Sequence, residues 1–258
     1  MKNLLVNADD WGLHSSINQA IIDCVNKGSV NSISVSVNGQ NPDMKALKEL
    51  YKKGVHIGLH LTWVGEPWIT KKTTITNWQF FFIYYIKNKK KFLKSLMYES
   101  EIQLNRLLDV GIIPNHIDSH QHLHAIPKIW EYVNLIASNF RTCRVRSCYV
   151  ENKNWTKRGM SGTCLQKLAQ HNTKTETTFF KCAGIRYSGN NSLSNLTLEL
   201  NENTSDFLEL IVHPGKSNER LNRKYSNWNY NWENEYNILM SHDFINLINS
   251  NNYLLYYK

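Results

Sequence analysis

Short apolar runs alternate along the chain with segments that carry apolar residues at helical spacing. Leu4-Leu5-Val6 predicts a strand that stops at Asp9-Asp10, and Ile17, Ala20, Ile21 and Val25 predict a helix closed by Gly28. From Val30 to Val37 the residues alternate, Ser32, Ser34 and Ser36 against Ile33, Val35 and Val37, which predicts a second strand. Pro42–Lys53 reads as a short helix and Val55–Leu61 as a third strand. Ile102, Leu104, Leu107 and Leu108 predict a helix over Glu99–Val110, Asn115–Ser119 another strand, and Ile126–Ala137 another helix.

Strands alternating with helices of this length predict an α/β chain with parallel pairing, expected to form one domain over residues 1–258. A deformed (β/α) barrel, TIM-barrel-like, competes with a doubly wound sheet. The barrel is favoured because acids and histidines recur at the ends of successive strands, where barrel enzymes collect their catalytic groups. Two regions interrupt the pattern: an aromatic and lysine-rich insertion around residues 71–98, and the polar, Asn/Thr-rich stretch Glu151–Asn203, which suggests no element.

Composition narrows the class. With 41% hydrophobic residues and no run of 18 apolar positions, the chain is neither disordered nor membrane-spanning in character. Five cysteines without a CxxC pair argue against a disulfide framework or a cysteine zinc site. The N-terminal apolar run is too short for a signal-peptide core, so a cytoplasmic protein is expected. The net charge of +9 suggests nucleic acid or anionic lipid until it is mapped. Lys71, Lys72, Lys87, Lys89, Lys90, Lys91 and Lys94 supply seven of those charges in a stretch without an acid, and the remainder is nearly balanced.

Four clusters carry chemistry. Asp9-Asp10 ends an apolar strand; adjacent carboxylates there either cap the next helix, with Asp10 or Ser15 as the cap, or are buried and need a cation. His60 follows Gly58 on one face of the third strand. The segment His116-Ile117-Asp118-Ser119-His120-Gln121-His122-Leu123-His124 places four imidazoles and a carboxylate at positions of equal parity, which favours a transition metal while the chain stays extended. Finally, Ile211-Val212 delivers His213 to a Pro214-Gly215 turn.

Taken with their flanking residues, Asn7-Ala8-Asp9-Asp10-Trp11-Gly12, Gly58-Leu59-His60-Leu61, the histidine segment and His213-Pro214-Gly215 resemble, in order, the motifs of the YdjC-like family of carbohydrate deacetylases, which includes the chitooligosaccharide deacetylases. The resemblance implies a deformed barrel and metal-dependent removal of acetyl groups from N-acetylated sugars. It implies Asp10, His60 and His120 as ligands of one divalent ion, Asp9 as catalytic base and His213 as acid. Such ligation suits zinc and is compatible with magnesium, manganese, cobalt or nickel. Asp118 would orient a ligand imidazole, and His122 and His124 would bind substrate hydroxyls. Trp11, Trp63 and Trp68 would stack on a sugar ring or pack in the core. Trp11 stands where the family usually has Phe, and the lysine-rich insertion matches no family motif.

Two rival readings remain at this level. A phosphoesterase or cyclic-amide hydrolase on the same barrel would hold two or more ions, with His122 and His124 as extra ligands. A nucleic-acid or membrane-surface module would use Lys71–Tyr98, although no nucleic-acid motif is present and no nucleic-acid partner is expected. The insertion is instead expected to be amphipathic and packed on the barrel, with a homodimer contact, a peripheral membrane contact or a lipid-linked glycan as open partners.

Overall fold

The computed structural model describes residues 1–150, 159–173 and 180–256. Parts of the unassigned polar stretch, residues 151–158 and 174–179, lie outside the described residues. The remaining chain runs β1 (Lys2–Trp11), α1 (Ser15–Lys27), β2 (Ser32–Val35), α2 (Met44–Lys52), β3 (His56–Leu61), α3 (Trp78–Lys87), α4 (Lys89–Leu108), β4 (His116–Ser119), α5 (Pro127–Ala137), β5 (Arg144–Val145), α6 (Gly159–Thr173), β6 (Lys181–Ala183), α7 (Leu193–Glu202), β7 (Phe207–Val212), α8 (Glu219–Lys224), α9 (Trp232–Met240), α10 (His242–Ser250) and β8 (Tyr253–Leu255).

All strand pairs are parallel, in the order β5-β4-β3-β2-β1-β7-β6, with β8 added to the start of β1. The order is that of a barrel whose hydrogen-bonded ladder, among the described residues, is open between β5 and β6. The expected deformed barrel is therefore the observed fold. Parallel strands buried on both faces explain why β1, β2, β3 and β4 are almost wholly inaccessible. Their outward residues, such as Ile33, Ile57, Leu59 and Ile117, pack under the helices; inward positions are polar and line the site.

Local signals act as the physics predicts at several ends. Gly28 closes α1 with φ +78°, a left-handed cap open to glycine. The cap at the start of α1 is His14, not Asp10 or Ser15, because both aspartates are drawn inside. The helix expected over Glu99–Val110 begins ten residues earlier, at Lys89, and packs beside α3. Among the described residues no helix is long and apolar enough to cross a membrane.

Candidate active site

A bulge in β1 creates the site. Asn7 and Ala8 pair with Ser32 and Ile33, but the next partner of Val35 is Trp11, so an extra residue is accommodated between Ala8 and Trp11. Asp10 takes φ +72°, a left-handed conformation that costs least for Gly, Asn or Asp. Adjacent strand residues ordinarily point to opposite faces. The bulge breaks that alternation, and both Asp9 and Asp10 are buried within the site.

Asp10 is the meeting point of two histidines. Its Oδ1 lies 3.4 Å from His60 Nε2 and 3.3 Å from His120 Nδ1, and no hydrogen bond satisfies either carboxylate oxygen. His60 Nε2 is likewise buried and unpartnered, while its Nδ1 donates to Asp118 Oδ1 at 2.7 Å. The β3–β4 register pairs His60 directly with Asp118, which is why this bond forms. Burial alone would raise the Asp10 carboxyl, yet the flanking His120 and His60 hold it well below the usual range. Burial would depress His60, but the carboxylates of Asp118 and Asp9 raise it to about 10. Unsatisfied donors of the type Asp/His/His, converging within 4.8 Å, are what a divalent cation would satisfy.

Asp9 faces a different partner. Arg146 is fully buried and donates from Nη1 to Asp9 Oδ2 at 2.8 Å and from Nη2 to Asp9 Oδ1 at 2.7 Å. The same guanidinium lies 2.7 Å from Asp118 Oδ2 and donates from Nε to Glu209 Oε1 at 2.7 Å. Two other carboxylate-histidine groups, Asp9/His60/Asp118 and His116/Asp118/Glu209, are close enough to hold ions. Arg146 already neutralises the carboxylates of both, so of these three groups, found among the described residues, the Asp10/His60/His120 group is the one left without a cation. That distribution favours one ion over two.

His213 lies beside Asp9, with Nε2 3.9 Å from Asp9 Oδ2. Its backbone N–H donates to Glu235 Oε2 at 2.6 Å, and its Nδ1 has no hydrogen bond. Burial raises the Glu235 carboxyl above its ordinary range, against the pull of His213.

The parity reading of the histidine segment holds only as far as Ser119. There β4 ends and residues 120–125 coil into a tight 3-10 turn, with left-handed φ at Gln121 and His122. Ser119 Oγ accepts from His124 N at 2.9 Å and braces the turn. His120 is thus sent to Asp10, while His122 turns to a half-buried cavity wall. His124 is fully buried with Nε2 2.9 Å from the Arg146 carbonyl, and burial pushes its imidazole down to about 4. It has no surface to offer a substrate. Trp11, Trp63 and Trp68 are also core residues, their indole N–H groups donating to Pro42 O, Ser100 Oγ and Trp63 O, so none can stack on a sugar. Two aromatics do reach the site: Trp228, half-buried, with its ring 4.5 Å from that of His120, and Tyr230, with its ring 5.0 Å from that of His213. Trp228 borders a cleft of about 390 Å³ that Tyr225, Trp78, Gln121 and Asn227 also line.

Gly58 and the β2 serines complete the interior. A Cβ at Gly58 would overlap the His116 imidazole, which lies across β3 with its Nε2 2.9 Å from Ser34 Oγ. Ser34 Oγ also donates to Asp118 Oδ2 at 2.7 Å. The sequence pattern does not single out Arg146, Glu209, Glu235 or Trp228, and marks Ser34 only as a strand position. For Glu209 a signal existed: it is a lone acid inside the apolar strand Phe207–Val212, and a buried charge needs a partner.

Comparison with known proteins places this arrangement in context. The family model described as YdjC-like protein matches residues 3–250. A carbohydrate deacetylase of Clostridium beijerinckii is 29% identical over 254 residues, 96% of each chain. A carbohydrate deacetylase of Vibrio parahaemolyticus is 29% identical over 84% of this chain and 80% of its own. A chitooligosaccharide deacetylase of Enterobacter sp. is 31% identical over 53% of this chain and 56% of its own. A crystal structure from Enterococcus faecalis, of a protein named for cellobiose-phosphate cleavage, superposes with a TM-score of 0.74 at 19% identity, covering 99% and 97% of the two chains, which is a likeness of fold.

Proposed function

The chain belongs to the YdjC-like protein family, and on that premise we propose that it is a metal-dependent hydrolase that removes the acetyl group from an N-acetylated sugar and releases acetate. The observation that carries this reading is the trio of buried, unsatisfied donors on Asp10, His60 and His120, flanked by a second carboxylate and a third histidine. A divalent ion held by those three residues would polarise the acetamide carbonyl and make water a competent nucleophile near neutral pH.

The chain's own groups supply the proton transfers. Asp9 takes the proton of the attacking water; Arg146 grips both of its oxygens and fixes its direction. His213 gives a proton to the departing sugar nitrogen, and Glu235 anchors its backbone. Asp118 accepts the Nδ1 proton of His60 and so keeps Nε2 free on the Asp10 side. Trp228 offers one face to a sugar ring at the mouth, beside the polar Asn227 and Gln121. The relatives named carbohydrate and chitooligosaccharide deacetylases support the substrate class.

Acetate release from N-acetylglucosamine di- and oligosaccharides tests this. Asp9→Asn should retain its metal and lose at least about a hundredfold in kcat. A variant with near-native turnover would overturn Asp9 as the base.

A further inference from the structure

Among the described residues the outer face of α3 is largely uncovered, its Tyr84 ring stacking on that of Phe92 of α4 at 6.3 Å. Phe81 is its one buried side chain, packed with its ring 5.0 Å from that of Phe92 on α4 and 6.2 Å from that of Trp63. This packing fixes which way the helix faces. Phe80, Ile83, Tyr84 and Ile86 point outward and are 50%, 45%, 52% and 75% exposed. The helix is therefore apolar on both sides, a correction to the amphipathic element expected from the sequence. A soluble chain rarely leaves four large apolar groups on one exposed turn-and-a-half without a use for them.

Charge selects the occupant. Directly after these residues come Lys87, Lys89, Lys90 and Lys91, all exposed, in a stretch of seven lysines without an acid. A second copy of the chain docked symmetrically on this face would bring two such clusters together, which like-charge repulsion disfavours. An anionic bilayer suits both features: the aromatic and aliphatic groups enter the interfacial zone and the lysines meet the lipid phosphates. We propose that the outer face of α3, with the lysines that follow it, is a docking surface for an anionic lipid bilayer.

Docking there has a consequence for the site. Trp78, the first residue of α3, lines the cleft beside His120, and its N–H donates to Gln121 Oε1 at 3.1 Å, one residue from the candidate ligand. Membrane contact through α3 sets the mouth of the cleft against the lipid surface. The placement rests on the proposed site only for this last point; the docking itself does not.

Vesicle co-sedimentation of the full chain tests the proposal without turnover. Vesicles containing about one third phosphatidylglycerol should bind the protein, phosphatidylcholine vesicles should bind it at least about tenfold less, and added salt should release it. The triple variant Phe80→Ser, Ile83→Ser, Ile86→Ser and the quadruple variant Lys87→Ser, Lys89→Ser, Lys90→Ser, Lys91→Ser should each lose about tenfold or more in partitioning. Their thermal melting and their acetate release from a soluble disaccharide should match the parent. The proposal is overturned if the parent ignores anionic vesicles, if both variants bind like the parent, or if the triple variant turns a dimer into a monomer.

Discussion

At Gly58 a single missing methyl group decides where two histidines lie. The His116 ring occupies the space of a Cβ on β3, and its contact with Ser34 reaches the Asp118 carboxylate that holds His60. Gly58→Ala should destabilise the fold by about 1–3 kcal/mol, because a fully packed interior has no room to yield. Urea denaturation measures it, and a midpoint unchanged from the parent would refute the packing argument. Residues of this kind divide by legibility. Asp9, Asp10, His60 and His213 are readable because a strand delivers each polar group to its end. Arg146 is not, since its meaning depends on Asp9, Asp118 and Glu209, which come from three other strands. Trp228 was invisible for a similar reason: nothing local distinguishes it from Trp11, and only the fold separates a site aromatic from a core one.

Elements were legible where one periodicity governs them. β2, β3, β4, α1 and α5 lie within a few residues of their expected bounds. The failures have physical causes. Equal parity of the histidines predicts a shared face only in extended chain, and the 3-10 turn after Ser119 sends His120, His122 and His124 to three different places. The bulge in β1 works the other way, bringing together two neighbours that alternation would separate. Neither irregularity has a hydrophobic pattern of its own. The α3 segment gave an apolar run without period, and such a run does not reveal that its outer face stays largely uncovered.

Charge is one of the ties across the open side of the barrel. Among the described residues no ladder joins β5 to β6; Cys182 N–H donates to Tyr149 O and Ser147 Oγ to Phe180 O, both at 2.7 Å, while Arg144 on β5 and Arg146 after it reach Glu209 on β7, with Arg144 Nη1 donating to Oε2 at 2.6 Å. Burial opposes ionisation of Glu209, but the two guanidinium groups outweigh it and lower the carboxyl from 4.5 to about 2. A folded-state value below the unfolded one means that its stabilisation is complete above pH 4.5 and is lost as pH falls towards 2. On the order of 3 kcal/mol should disappear across that window. Thermal melts between those limits should show the loss, and Glu209→Gln should be less stable at neutral pH with a shallower acid decline. An identical acid limb in the variant would contradict the assignment.

In the proposed reaction a single metal held by Asp10, His60 and His120 serves one hydrolysis. Chelator-stripped protein titrated with a divalent ion, with bound metal and acetate release followed together, tests it most directly. One ion per chain should bind, acetate release should rise in proportion and saturate at that equivalent, and His120→Ala should bind at least about tenfold more weakly. Full turnover by the stripped protein, or two tightly bound ions per chain, would contradict it.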